Sequence, residues 1–315
     1  MIEPVVPMQP VQVDEPFDDP KWLYQIKWDG VRMLTYLDES GVRLVNRKLR
    51  DHTLKYPDLT AVLPEQVRSK SVVLDGEIVG FGEDGKPSFS AALKRDLVKS
   101  ADKALALSRT RPAYYMVWDI LYADGKWLLD EPLSRRQQRL ADILEPGPNV
   151  KLVDSHESGT ALFRVMQEQG MEGIVAKERA GKYHLGEYNP TWKKVKYYRF
   201  LHAVVGGVSV KNGLVNSLLL GLYNDEGNLI FIGRAGTGLD NAMIQALTQF
   251  VNLLPAVKPP FQNPPRHTET AYEKLVWFPP QLVVEVRFLE WTSDLTLRSP
   301  VVLGFLEKQV MSCTF

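Results

Sequence analysis

At 315 residues, 44% of them hydrophobic, the chain is long enough for more than one compact domain, and 38 Lys+Arg against 38 Asp+Glu leave no global basic surplus. Any nucleic-acid binding must therefore come from local clustering of charge. A single cysteine, Cys313, rules out an intrachain disulfide framework; no apolar run approaches the roughly 18 residues of a membrane span; and MIEPVVPMQP lacks the basic-then-apolar order of a signal peptide, so a cytoplasmic protein is expected.

Residues 1–20, rich in proline and acids, read as an extended lead-in. Residues 22–46 alternate apolar and polar around the loop DESG, the pattern of a hairpin. Helical patterning runs from Pro57 through Leu63, and SVVLDGEIVGF is a buried strand with a polar interruption. PSFSAALKRDLVKSADKALAL is helical in composition, and AYYMVWDILYADGKWLL reads as strand, Asp-Gly turn, strand. LSRRQQRLADIL is predicted as a helix with Ser134 as N-cap, and GTALFRVMQEQG as a helix with Gly170 just past its end. EGIVAKE and WKKVKYY are two more strands. Helices and strands mix without strict βαβ alternation, so the expected class is α+β.

Near residue 200 the character changes. FLHAVVGGVSV, LVNSLLLGLYN, NLIFIGRAG, QLVVEVRFLEWT and PVVLGFLEKQV are predicted strands, with one helix, LDNAMIQALTQFVNLL, among them. That inventory suggests a small β-barrel, with the oligonucleotide-binding barrel the leading candidate. The simplest division is one domain over 1–200 and another over 201–315. Lys+Arg against Asp+Glu is 30 to 29 in the first and 8 to 9 in the second, so neither is basic as a whole.

Charged residues interrupt several strands. YQIKWDGVRMLTY holds Lys27, Asp29, Gly30 and Arg32 within six positions. A solvated hairpin edge would explain any one of them; the pattern K-x-D-G-x-R is more specific. A lysine amine is protonated in water, and neighbouring cations with partial burial free its lone pair, so covalent catalysis through Lys27 is one use. Gly30 would let the backbone pass close to a bound ligand. Glu77 lies inside LDGEIVGF, Glu172 opens EGIVAK, and Lys194 and Lys196 share one face of WKKVK. Two lysines aimed at one spot make sense around a phosphate, and acids converging with them suit metal-assisted phosphoryl transfer. Structural salt bridges remain the alternative for each motif taken alone.

In order, KWDGVR, Arg47, DGE, the pair Trp118–Asp119, EGIV and KVK resemble the motif series of the covalent nucleotidyltransferases. LVVEVRFLEWTSDLTLRSPVVLGF is similar to the end of the barrel domain in ATP-dependent DNA ligases, with the flavour of the ligase domain of bacterial end-joining ligases. The resemblance covers nearly the whole chain. It implies a nucleotidyltransferase domain of ATP-grasp-like antiparallel sheets with helices, followed by a C-terminal OB-fold β-barrel. It implies three steps: Lys27 attacks the α-phosphate of ATP to form lysyl-AMP, AMP passes to the 5′-phosphate of a nick, and the 3′-hydroxyl displaces AMP. By matching position, Gln25 and Ile26 would lie against the nucleotide, and Arg32 and Glu77 would hold the ribose and reacting groups. Arg47 would bind phosphate, and Trp118 would stack on adenine with Val175 beneath. Glu172, with Glu77, would organise Mg²⁺ or Mn²⁺. Lys194 and Lys196 would grip the α-phosphate, and Arg298 and Lys308 would contact the leaving pyrophosphate. DNA would meet Arg47, Lys48, Arg50, Lys193 and Arg199. The implied partners are nicked double-stranded DNA and, in DNA repair, an end-binding protein or a polymerase; the implied state is a monomer away from membranes, a minimal ligase with no extra DNA-binding domain before Lys27.

The chain departs from the family pattern in places. Gln25 stands where an acid is common; its carbonyl can accept from the adenine amine, and its amide could donate to guanine O6. Trp118 replaces the common Phe, VNRKLRDH lacks the frequent Ser-Arg-Asn-Gly, and FLEK replaces the usual acid-lysine context of Lys308. An RNA ligase and a GTP-dependent mRNA-capping guanylyltransferase are the rival enzymes, and a catalytically inactive oligonucleotide-binding module is the rival of another class.

Overall fold

In the computed structural model, which describes residues 2–82, 85–255, 257–265, 273–292 and 294–315, the polypeptide divides into Met1–Tyr197 and Tyr198–Phe315. The first unit carries β1 (Gln9–Val13), β2 (Trp22–Ile26), β3 (Val31–Asp38), β4 (Gly41–Asn46), α1 (Pro57–Gln66), β5 (Val72–Val79), α2 (Phe89–Asp96) and α3 (Ala101–Thr110). It continues with β6 (Tyr114–Ala123), β7 (Lys126–Trp127), α4 (Leu133–Ile143), β8 (Val150–Leu152), α5 (Gly159–Gln169), β9 (Gly173–Glu178) and β10 (Tyr188–Lys196).

These strands make two sheets. One has the order β1-β10-β9-β2; the other has β4-β3-β5-β6-β7, with β8 added beside β6. The sheets face each other across Leu34, Tyr36, Val45, Val73 and Leu121 from the larger one and Tyr183 and Trp192 from the smaller side. Alternation along each strand sends the other residues outward. Met33, Leu74, Val117 and Ile120 thus pack on Leu59 and Leu63 of α1 and Leu140 and Ile143 of α4, while Tyr24, Ile174, Ala176 and Val195 pack on Leu162 and Met166 of α5.

The hairpin expected over 22–46 is corrected: only β3 and β4 pair, and β2 joins the other sheet beside β9. The lead-in is not wholly irregular, because β1 runs parallel to β10. The long helical stretch from residue 88 breaks in two, since Ser100 accepts from the Lys103 N–H at 3.4 Å and starts a second helix as Ser88 starts the first. Ser134 is not the cap of α4. Pro132 occupies that position, and the Leu133 and Ser134 N–H groups donate to the Gly181 and Arg179 carbonyls at 3.0 and 3.1 Å, so no capping side chain is needed. Gly170 closes α5 at φ 67°, as its position predicts.

The second unit holds β11 (Arg199–Lys211), β12 (Leu214–Tyr223), β13 (Leu229–Ala235), α6 (Asn241–Leu253), β14 (Glu273–Phe288) and β15 (Val301–Leu306). The five strands run β13-β12-β11-β14-β15 around a core of Val204, Leu218, Leu220, Ile232, Phe278 and Val284. This is the strand and helix content of an OB-fold, and the sheet curls toward closure without a ladder between β13 and β15 among the described residues. Two backbone hydrogen bonds bridge the gap, Leu297 N–H to Ile232 O at 2.7 Å and Val302 N–H to Thr237 O at 2.9 Å.

Candidate active site

Lys27 sits just past the end of β2, where the chain leaves one sheet to enter the other. Its N–H extends the ladder to the Gly173 carbonyl at 2.9 Å. Three residues later Gly30 is pressed against β5, where a Cβ would lie 2.2 Å from the Ile78 carbonyl oxygen. In the fold itself, the close approach that requires Gly30 is to a neighbouring strand.

Register decides what surrounds Lys27. Gln25 is opposite Val175, and Val175 opposite Lys194; Gly173, whose carbonyl holds Lys27, is opposite Lys196. Residues paired across an antiparallel ladder share a face, so Gln25, Val175, Lys194 and Lys196 line one surface with Lys27 at its end. Glu172 crosses that end. Its Oε2 is 2.6 Å from Lys27 Nζ and its Oε1 is 3.3 Å from Lys196 Nζ, so one carboxylate joins two ammonium groups. Burial, then the charges of Lys196 and Lys27, and more weakly that of Arg47, lower the pKa of Lys194. The larger sheet supplies Glu77, paired in register with Arg32. Loss of hydration lifts its carboxyl to about 8 against the pull of Lys27 and Arg32, and Glu172 and Asp29 push the same way. The structure thus brings together Lys27, Asp29, Arg32, Glu77, Glu172, Lys194 and Lys196, with Arg47 at the edge.

Arg32 is held more firmly than its expected part at the ribose suggests. Its Nε and Nη2 clamp Asp75 at 2.9 and 2.6 Å, Nη1 reaches the Met8 carbonyl at 2.6 Å, and Nη2 also meets the Tyr183 hydroxyl at 3.1 Å. Asp75, fully buried, and Tyr183 were not among the residues singled out in the sequence. The signal for Asp75 was available, as the acid of DGE that strand alternation places inside. A second buried bidentate pair, Arg136 with Asp119 at 2.8 and 2.9 Å, anchors α4 to β6 beside Trp118.

Trp118 is half-buried, with the Arg32 guanidinium 5.5 Å from its ring centroid and Lys177 Nζ at 4.9 Å. Lys177 Nζ is also 4.1 Å from the Trp192 centroid. It is a second cation, besides Arg32, that the indoles hold.

Gln25 is 1% exposed, and its amide has a fixed orientation. Nε2 donates to Ser155 Oγ at 3.1 Å and toward the Val153 carbonyl at 3.5 Å, which leaves buried Oε1 with no partner on the face it shares with Val175. Ile26 turns its side chain to the α5 layer, so only its backbone lies on the Gln25 side. Lys193 also turns away, its Nζ 4.4 Å from the Trp22 centroid and 5.1 Å from that of Phe17. Arg47, Lys48 and Arg50 are exposed together at the tip beyond β4.

The remaining expected residues lie in the second unit. Arg199 opens β11 opposite Phe288. Arg298 Nη1 pairs with Glu290 Oε1 at 2.7 Å, and Lys308 Nζ meets His202 Nδ1 at 2.9 Å.

Among the described residues no three His, Cys, Asp or Glu cluster as a ready metal cage. Glu77 and Glu172 are the carboxyl groups at hand, and once Glu77 has given up its proton the two would suit a hard divalent cation that keeps waters and shares nucleotide phosphate oxygens.

Comparison with known proteins agrees across both units. The family described as ATP dependent DNA ligase domain matches residues 8–196, and ATP dependent DNA ligase C terminal region matches residues 211–308. The multifunctional non-homologous end joining protein LigD of Mycobacterium bovis is 33% identical over 286 residues, covering 88% of this chain and 35% of that protein. A DNA ligase of Methanothrix thermoacetophila is 32% identical over 234 residues, covering 71% of this chain and 42% of that one. The chain therefore spans about a third to two-fifths of the length of these relatives. A solved structure, mycobacterial DNA ligase D complexed with ATP and MES, aligns over 99% of this chain and 98% of its own at 29% identity, with a TM-score of 0.55.

Proposed function

This chain belongs to the ATP-dependent DNA ligase family, and from that premise we propose that it seals 5′-phosphate/3′-hydroxyl nicks in duplex DNA through an AMP carried on Lys27. The observation that carries the reading is the Lys27–Glu172–Lys196 arrangement, at the end of a sheet face whose other members suit a nucleotide. The Glu172 carboxylate is the proton acceptor in contact with Lys27 Nζ. Once deprotonated, Nζ attacks the α-phosphorus of ATP. The N–P bond forms as the bond from that phosphorus to the bridging oxygen breaks, and pyrophosphate leaves with the electron pair. Lys194 and Lys196 balance the charge on the α-phosphate oxygens. A divalent cation, Mg²⁺ or Mn²⁺, held by Glu172 and Glu77 would supply further charge neutralisation when bound. AMP then passes to the 5′-phosphate of the nick, and the 3′-hydroxyl displaces it.

Gln25 favours ATP over GTP in this reading. Its lone acceptor meets the adenine amine, whereas guanine O6 would need the donor that Ser155 and Val153 already occupy. The name of the LigD relative supports end joining as the setting; an end-binding protein or a polymerase as partner and the single chain as the working unit belong to the same proposal. The test is intact mass after incubation with ATP or GTP and a divalent cation. One added AMP is expected from ATP alone, and none in Lys27→Ala. Protein-AMP that persists in the alanine variant would place the nucleophile elsewhere.

A further inference from the structure

The tip beyond β4 carries Arg47, Lys48 and Arg50, all exposed, and its shape is not one its own sequence favours. The turn closes through Leu49 N–H to Asn46 O at 2.9 Å and Asn46 N–H to Arg50 O at 3.0 Å. Leu49 sits at φ 59°, a left-handed conformation in which glycine is usual at this place in such a hairpin. Leu49 is 47% exposed, so packing does not hold it there.

A chain of side chains does. Asn46 Oδ1 accepts the N–H groups of Lys48 and Arg50 at 2.9 and 3.1 Å. Asn46 Nδ2 lies 3.1 Å from His52 Nε2, and His52 Nδ1 lies 2.5 Å from Asp96 Oδ1 at the end of α2. One assignment serves the chain from Asp96 to the loop: Nδ1–H donates to Asp96, Nε2 accepts from the asparagine amide, and the asparagine oxygen is left for the loop, while the Lys55 ammonium, 3.3 Å from Nδ1, is satisfied by the Asp96 carbonyl. His52 is 7% exposed. Asp96 is fixed in turn by the Tyr56 hydroxyl at 3.0 Å and by Lys55, whose ammonium donates to the Asp96 carbonyl.

We propose that Asp96, His52 and Asn46 form a positioning relay that holds the Arg47–Arg50 tip in the shape that presents its three cations to the phosphate backbone of a DNA strand. The inference rests on the ligase reading. The relay touches no reacting atom. Its task is to keep three charges at a fixed spacing on a turn that would otherwise leave the left-handed conformation. Removing the imidazole frees the asparagine amide to rotate, and the two loop N–H groups lose their acceptor.

The experiment uses the whole chain and a labelled duplex with a single 5′-phosphorylated nick. His52→Ala is expected to weaken nick binding about tenfold or more and to flatten the dependence of log affinity on log salt by roughly two to three units, the share of three phosphate contacts. Self-adenylation by ATP should fall by a smaller factor than nick binding, since of the tip residues only Arg47 stands at the edge of the Lys27 site. Asp96→Asn, which keeps the acceptor for Nδ1–H, should bind nearly as wild type. Adding Leu49→Gly to His52→Ala should restore most of the affinity, because glycine takes the left-handed turn unaided. A His52→Ala protein that binds the nick normally, a loss that glycine does not restore, or an equal loss in self-adenylation overturns the relay. A wild-type chain that neither adenylates nor binds the nick overturns the ligase reading instead, a result no relay variant can mimic.

Discussion

Lys177 shows how a residue can be conspicuous in the fold and invisible in a motif. It is 2% exposed, lies between two indoles, and its Nζ has no hydrogen-bond partner. Burial lowers its pKa to about 7, against the pull of Asp119 and Asp75. An unfolded lysine stays protonated to about 10.4, so between roughly pH 7 and 10 the unfolded chain binds the extra proton and folding stability rises with pH. The difference in melting temperature between wild type and Lys177→Met should therefore move in favour of wild type from pH 7 to 10. A difference that stays constant over that range would show the lysine keeping its ordinary titration. In the sequence Lys177 looked like the polar end of EGIVAKE. Only its register opposite Trp192 reveals that it faces the aromatic cluster.

At the level of elements, the start of β9 is the tightest joint in the first unit. Gly173 has φ 135°, and a Cβ there would lie 2.1 Å from the Val195 carbonyl oxygen and 3.0 Å from Lys196 Cα. Gly173→Ala is expected to cost roughly 2–4 kcal/mol through strain and displacement of β10. It should also slow self-adenylation, since both Glu172 and Lys196 hang from that joint. A wild-type denaturation midpoint would refute the argument. Most elements were legible because alternation and capping residues are local signals: Gly170 closes α5 as read, and Ser158, not singled out in the sequence, caps its start. Sheet membership was not legible. Residues 24–36 look like one strand in a linear reading, yet four residues, 27–30, separate strands of two sheets. The candidate site was legible as a set of charges, Lys27, Glu77, Glu172, Lys194 and Lys196. Of the buried groups that hold Arg32 and Asp119 beside it, Asp75 was signalled by DGE, whereas Tyr183 and Arg136 were not, because a side chain that holds a buried charge has no spacing rule of its own.

On the scale of the whole molecule, the expected machinery is divided between the two units, and the division gives a test by reaction step. If Arg298 serves the leaving pyrophosphate, Arg298→Ala should slow self-adenylation by several powers of ten and still seal a nick that already carries AMP. A variant that adenylates normally but fails on the pre-adenylated nick would make Arg298 a DNA contact instead. The zero net charge has a consequence of a different kind. A protein without net charge exerts little pull on a polyanion from afar, and at physiological ionic strength fields fade within about 8 Å. The cations around Lys27 and on the Arg47 tip can act only once contact is nearly made. If the chain seals nicks as proposed, it would not draw DNA out of solution, and its rate of encounter would be set by whatever brings the strand within reach.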